Sequence, residues 1–210
     1  MRTSVFIKSV LAAAAIAAPM LATAESNFQT GAGGLTATAH VDFQITIPKF
    51  LFVRVGTGTG SITPAVGFAT NAAIDQITWA PTAAQVGTGI MAGTGGDLTG
   101  GVETAIVVGN AGNVTFSSTT TGPLSDGAGD TISYSKITVA ATALSTGTVL
   151  AHPALADGAT TTSTLTAVGK IVQQDAKWAY SYANNTTPPA GTYGGVNANG
   201  SRVTYTASVP

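Results

Sequence analysis

In the stretch LTATAHVDFQITIP, which begins at Leu35, apolar and polar residues alternate. Leu35, Ala37, Ala39, Val41, Phe43, Ile45 and Ile47 fall on one side of a period-two pattern, and Thr36, Thr38, His40, Asp42, Gln44 and Thr46 on the other. Side chains of an extended backbone point to opposite faces in turn, so the pattern predicts a long strand with one apolar face. Such a strand needs a hydrogen-bonding neighbour and a second apolar layer. The segment therefore poses the question of whether its neighbour lies in the same chain or in another copy of it.

After Pro48, which cannot donate to a ladder, KFLFVRVG is apolar nearly throughout up to Arg54. It reads as a strand entering the interior with both faces covered, ended by a turn from Gly56 to Gly60. Further strands are predicted at residues 73–79, 103–108, 113–119, 131–140, 163–172, 177–182 and 202–209. Gly-, Pro-, Asn- and Asp-rich connections such as GTGIMAGTGGDLTGG, GPLSDGAGD and NNTTPPAGTYGG separate them and supply turn geometry. The one stretch left for a short helix is 141–156. Many short strands with regular turns predict an all-β antiparallel sandwich, read as a single domain over residues 25–210.

The first 24 residues read as a signal peptide. Arg2 and Lys8 supply positive charge, an apolar run follows from Val10 to Leu21, and Ala22-Thr23-Ala24 offers a small-residue cleavage site. The run is too short for a membrane span. Loss of the leader leaves six of the eight basic residues against nine acidic ones, a net charge of −3. That balance argues against nucleic acid as a partner, since phosphate neutralisation needs clustered Lys and Arg. There is no cysteine, so an exported chain of this kind must be held by burial rather than by disulfides.

Residues that could carry chemistry are few. His40 lies on the polar side of the first strand and His152 precedes Pro153; both read as surface histidines, with no G-x-S-x-G elbow and no zinc motif beside them. Asp126 and Asp130 in DGAGD lack the spaced oxygen ligands of a calcium loop and read as turn residues. Trp178, Tyr180 and Tyr182 share one strand face and read as sandwich core. The Gly-rich stretches lack the Lys-Thr or Lys-Ser pair of a phosphate loop. No catalytic, cofactor or metal site is expected, and the chain is not expected to be an enzyme.

The C-terminal segment ends in a second alternating stretch. Val203, Tyr205, Ala207 and Val209 interleave with Arg202, Thr204, Thr206 and Ser208. The leader, the alternation running into VDFQITIPKFLFVRVG, the Thr-rich middle and the ending PAGTYGG…RVTYTAS together resemble bacterial fimbrial subunits of the chaperone–usher type and related exported pilin-like β-sandwiches. Unlike the best-known of these, the chain has no paired cysteines. The resemblance implies an immunoglobulin-like, pilin-like fold that lacks its last strand. It implies a periplasmic chaperone and an outer-membrane usher as partners, and passage through the periplasm to the cell surface. By the same resemblance residues 25–43 form a donor extension, with Leu35, Ala37, Ala39, Val41 and Phe43 as the donor face; Val203, Tyr205 and Ala207 line the acceptor groove. The other reading is a self-complete exported β-sandwich for surface adhesion or carbohydrate binding.

Overall fold

A computed structural model describes residues 26–58, 68, 70–145 and 147–210; the expected leader and part of the expected 56–60 turn lie outside them. The chain forms two units, Met1–Ile47 and Pro48–Pro210. In the first unit the described residues, 26–47, form no strand and are exposed. The long strand expected from Leu35 to Ile47 is thus not formed. Alternation supplies an apolar face, but a strand also needs ladder partners for its backbone N–H and C=O groups.

The second unit is all-β. In chain order its strands are β1 (Leu51–Val55), β2 (Ile77–Thr78), β3 (Gly89–Ala92), β4 (Thr94–Gly95), β5 (Val102–Gly109), β6 (Val114–Thr119) and β7 (Leu124–Ser125). There follow β8 (Thr131–Ile132), β9 (Ile137–Thr142), β10 (Thr148–Val149), β11 (Thr160–Leu165), β12 (Val172–Asn184) and β13 (Thr204–Ser208). One 3₁₀ turn, Tyr134–Lys136, is the sole helical element among the described residues, and no helix there is long and apolar enough to cross a membrane.

The larger sheet is organised by β12. Along one side, β12 pairs antiparallel with β5 and, towards its C-terminal end, with β3. It also pairs antiparallel with β9 and, in a short parallel segment, with β10. Strand β1 extends the sheet beyond β5. A second sheet has the order β11-β6-β13, antiparallel throughout.

The arrangement is consistent with a β-sandwich. Ala105 and Val107 of β5 and Val172, Ala176, Trp178 and Tyr180 of β12 form one core cluster with Val114 and Phe116 of β6, Leu165 of β11, and Leu150. Residues 114–119 alternate buried and partly or fully exposed, as expected of a strand with one apolar face. The opposite face of the small sheet is hydroxylated: Thr160, Thr119 and Thr204 stand abreast, as do Thr162, Ser117 and Thr206. This accounts for a Thr-rich chain with little charge, since Thr suits a pleated, half-solvated surface.

Several expectations are corrected. The described residues of 141–156 form no α-helix; β9 runs to Thr142 and β10 follows. The strand expected over 163–172 is two strands. Gly169 and Lys170, with φ of 58° and 68°, turn the chain, and Val168 and Ile171 bridge across them. The 131–140 strand is interrupted at Tyr134–Lys136, where the Ser133 side chain caps the 3₁₀ turn by accepting from the Ser135 N–H. Of residues 73–79 only Ile77 and Thr78 form strand. Strand β1 is not covered on both faces. Among the described residues it pairs only with β5, and Val53 is 38% exposed.

Candidate functional site

Among the strands with an unpaired edge among the described residues are β1 in the large sheet and β13 in the small one. They pass close to one another without forming a ladder. Val53 of β1 is opposite Val107, a core residue, and so faces inward, yet it keeps the exposure noted above. On β13 the residues facing the core, Tyr205 and Ala207, are half-buried, while Val203 lies just before the strand. Val53 thus leaves apolar surface in solvent beside these two edges.

Tyr205 does not simply line this side. Its ring stacks on Phe116 at 6.1 Å between centroids and lies 5.3 Å from that of Trp178. Its hydroxyl joins Tyr180 Oη at 3.0 Å and His152 Nε2 at 2.6 Å. The imidazole also bonds to the Pro153 backbone. Proline has only a carbonyl to offer, so that ring nitrogen is the donor and Nε2 accepts from Tyr205. His152 is not a surface histidine. It packs edge-on against Trp178 at 4.5 Å, and burial pushes its pKa from 6.5 down to about 4. The sequence offered no sign of this, because the ring is covered by residues 26 to 53 positions away. Trp178, Tyr180 and Tyr182 are buried, as read from their shared strand face, and Trp178 Nε1 donates to the Leu150 carbonyl at 2.8 Å.

A second polar group lies at the C-terminal end of β1. Asp75, Asp97 and Glu103 bring carboxylate oxygens within 4.8 Å of one another, and Glu103 is only 4% exposed. Gly58 N–H donates to Asp97 Oδ2 at 2.9 Å and Thr104 N–H to Asp97 Oδ1 at 2.8 Å, while Thr57 N–H donates to Asp75. Gly56 has a φ of +73°, and a Cβ there would come 2.4 Å from Asp75 Oδ2. Burial first, then the Asp75 charge, push Glu103 up to about 8, so at neutral pH it holds a proton rather than adding a third negative charge. The three acids are 28 positions apart at most, and nothing in their spacing marked them in the sequence.

The remaining sequence candidates are placed as follows. Leu35, Ala37, Ala39, Val41 and Phe43 are all exposed, Phe43 by 90%, and His40 and Asp42 are exposed as well. Asp126 and Asp130 do form a turn, between β7 and β8. Asp126 Oδ1 accepts the N–H groups of Ala128, Gly129 and Asp130 at 2.8, 3.1 and 3.0 Å, which holds its pKa below the ordinary value. No protein family, curated protein or solved structure was found to match the chain.

Proposed function

We propose that this chain is an exported structural subunit of a cell-surface fimbria, with an immunoglobulin-like, pilin-like sandwich, joined to the next copy by donor-strand exchange. One observation carries the reading: a 13-residue alternating segment, Leu35 to Ile47, keeps its apolar side chains in solvent and forms no strand. The neighbouring strands β1 and β13 support it, since each is paired on one side only among the described residues. In strand addition, backbone hydrogen bonds give affinity and alternate side chains fill pockets. Here Leu35, Ala37, Ala39, Val41 and Phe43 are the donor side chains of one copy. The strip beside Val203, Tyr205 and Ala207 of the next receives them. A strand bonded to both edges needs about 9.5 Å between them, two strand spacings, so β1 and β13 must part to admit it. A periplasmic chaperone that occupies the strip until an outer-membrane usher presents the donor fits this requirement.

The test uses the full-length exported protein. Size distribution by light scattering should show polymers, and Phe43→Asp should abolish them. Burying Phe43 contributes about 1.5–3 kcal/mol, and a carboxylate in its pocket carries a desolvation penalty instead. A synthetic GGLTATAHVDF peptide should compete for assembly. A stable wild-type monomer, indifferent to the peptide, would refute the proposal.

A further inference from the structure

The outer face of the small sheet is a grid of hydroxyls. Beside the two rows that centre on Thr119 and Ser117, the registers of β11, β6 and β13 place a third, Thr164, Thr115 and Ser208. The three rows of three hold seven threonines and two serines. Seven of these residues are exposed, and only Ser117 and Thr119 are half-buried. None carries a charge, although Lys, Glu, Arg and Asp are the residues that ordinarily fill exposed positions.

Neighbouring strands lie about 4.8 Å apart and alternate residues of one strand about 6.8 Å apart. The hydroxyls therefore repeat in two directions at right angles. Thr is stiff at χ1, and the grid is tied across its strands: the hydroxyls of Thr119 and Thr160 bond at 2.8 Å, and that of Ser117 donates to the Thr206 carbonyl at 3.3 Å. It is set before any ligand arrives, so little ordering cost remains on binding. Sheet twist lifts the corners of such a grid, which leaves the central row, Thr162, Ser117 and Thr206, and the central strand, β6, nearest to one plane.

Nine cells of this size cover about 300 Å², well short of the roughly 800 Å² that each partner buries in a stable protein interface. A second folded chain is thus a poor occupant. A crystalline solid is a better one, because it presents the same periodic surface wherever the grid lands and carries no charge that an uncharged face would have to desolvate.

We propose that this face adsorbs to the prism planes of ice, whose oxygen rows repeat at distances close to both spacings of the grid. The hydroxyls, which donate and accept, take the places of lattice waters, and the threonine methyls sit in the hollows between them. The inference is independent of the assembly reading, since the grid points away from the core that a donor strand would enter.

The test grows an ice hemisphere slowly in a solution of the full-length protein and measures the fraction of protein taken into the ice, together with the gap between the melting and growth temperatures of single crystals. Wild-type protein should enter the ice, open that gap and give crystals bounded by prism faces. Thr162→Lys and Thr206→Lys, which put a long charged side chain on the central row, should be pushed ahead of the ice front and lose the gap. Thr138→Lys, at an exposed position of β9 in the other sheet, should keep both. Thermal midpoints of all three should match that of the wild type, because the replaced side chains are exposed. Exclusion of the wild-type protein from ice, equal uptake of the central-row variants, a wild-type dimer that those variants dissociate, or retention on crystalline cellulose in place of ice would overturn the proposal.

Discussion

Lowering the pH from 7 towards 4 should destabilise the sandwich through His152. In the folded chain the imidazole stays neutral down to about 4 because burial opposes its charge, whereas the unfolded chain takes up the proton near 6.5. The unfolded state therefore binds more protons throughout that window, and stability falls as pH falls. The contribution is fully present above 6.5 and lost by 4, and its size is about 3 kcal/mol. Protonation of Nε2 also turns the acceptor of the Tyr205 hydroxyl into a donor, breaking the Tyr180–Tyr205–His152 chain. Glu103 acts in the opposite sense. Its folded pKa is raised to about 8, so its contribution is full below about 4.5 and disappears as pH rises through 8. The two slopes oppose each other between 4.5 and 6.5, so the wild-type profile alone does not isolate His152. His152→Gln does: urea unfolding of both proteins at pH 7.5, 6.5, 5.5 and 4.5 should give a stability difference that changes by most of that 3 kcal/mol. A constant offset from lost ring contacts does not affect the slope. Parallel profiles would show that His152 titrates as an ordinary solvated histidine and would refute the burial argument.

Glu103→Gln should remove most of the stability lost between pH 5 and pH 9, and urea midpoints at the two pH values should then nearly coincide. Gly56→Ala should destabilise by about 1–3 kcal/mol, because φ is +73° and the new Cβ meets Asp75 and Glu103; thermal unfolding reads this directly. Trp178→Ala should cost about 3–5 kcal/mol, since the side chain is fully buried and its loss also leaves the Leu150 carbonyl without its donor. Phe43→Asp should leave the thermal midpoint of the monomeric fraction unchanged, because the side chain is 90% exposed.

Period-two alternation was enough to locate the elements that have one solvated face. The 113–119 and 202–209 stretches became β6 and β13, and the burial of Trp178, Tyr180 and Tyr182 followed from their common face. The boundaries that failed did so at local turn chemistry. The strand expected over STLTAVGKIV runs through Gly169, although an isolated glycine in such a run often marks a break. Strand β3 lay inside a glycine-rich stretch taken for loop, where backbone pairing with β12 outweighs weak side-chain preference.

What the sequence determined by itself is the class of the fold and the character of its surfaces, because alternation, turn residues and a Thr-rich, cysteine-free composition act locally along the chain. What only the tertiary structure decided is which polar groups meet. His152 reaches Tyr205 across 53 positions, and Asp75, Asp97 and Glu103 share one corner. Each residue is unremarkable in sequence, and its surroundings arise from burial and neighbours that sheet packing brings together. The segment from Leu35 to Ile47 shows the same division: its apolar face is written in the residues, but a strand forms only where a partner supplies the other half of the ladder.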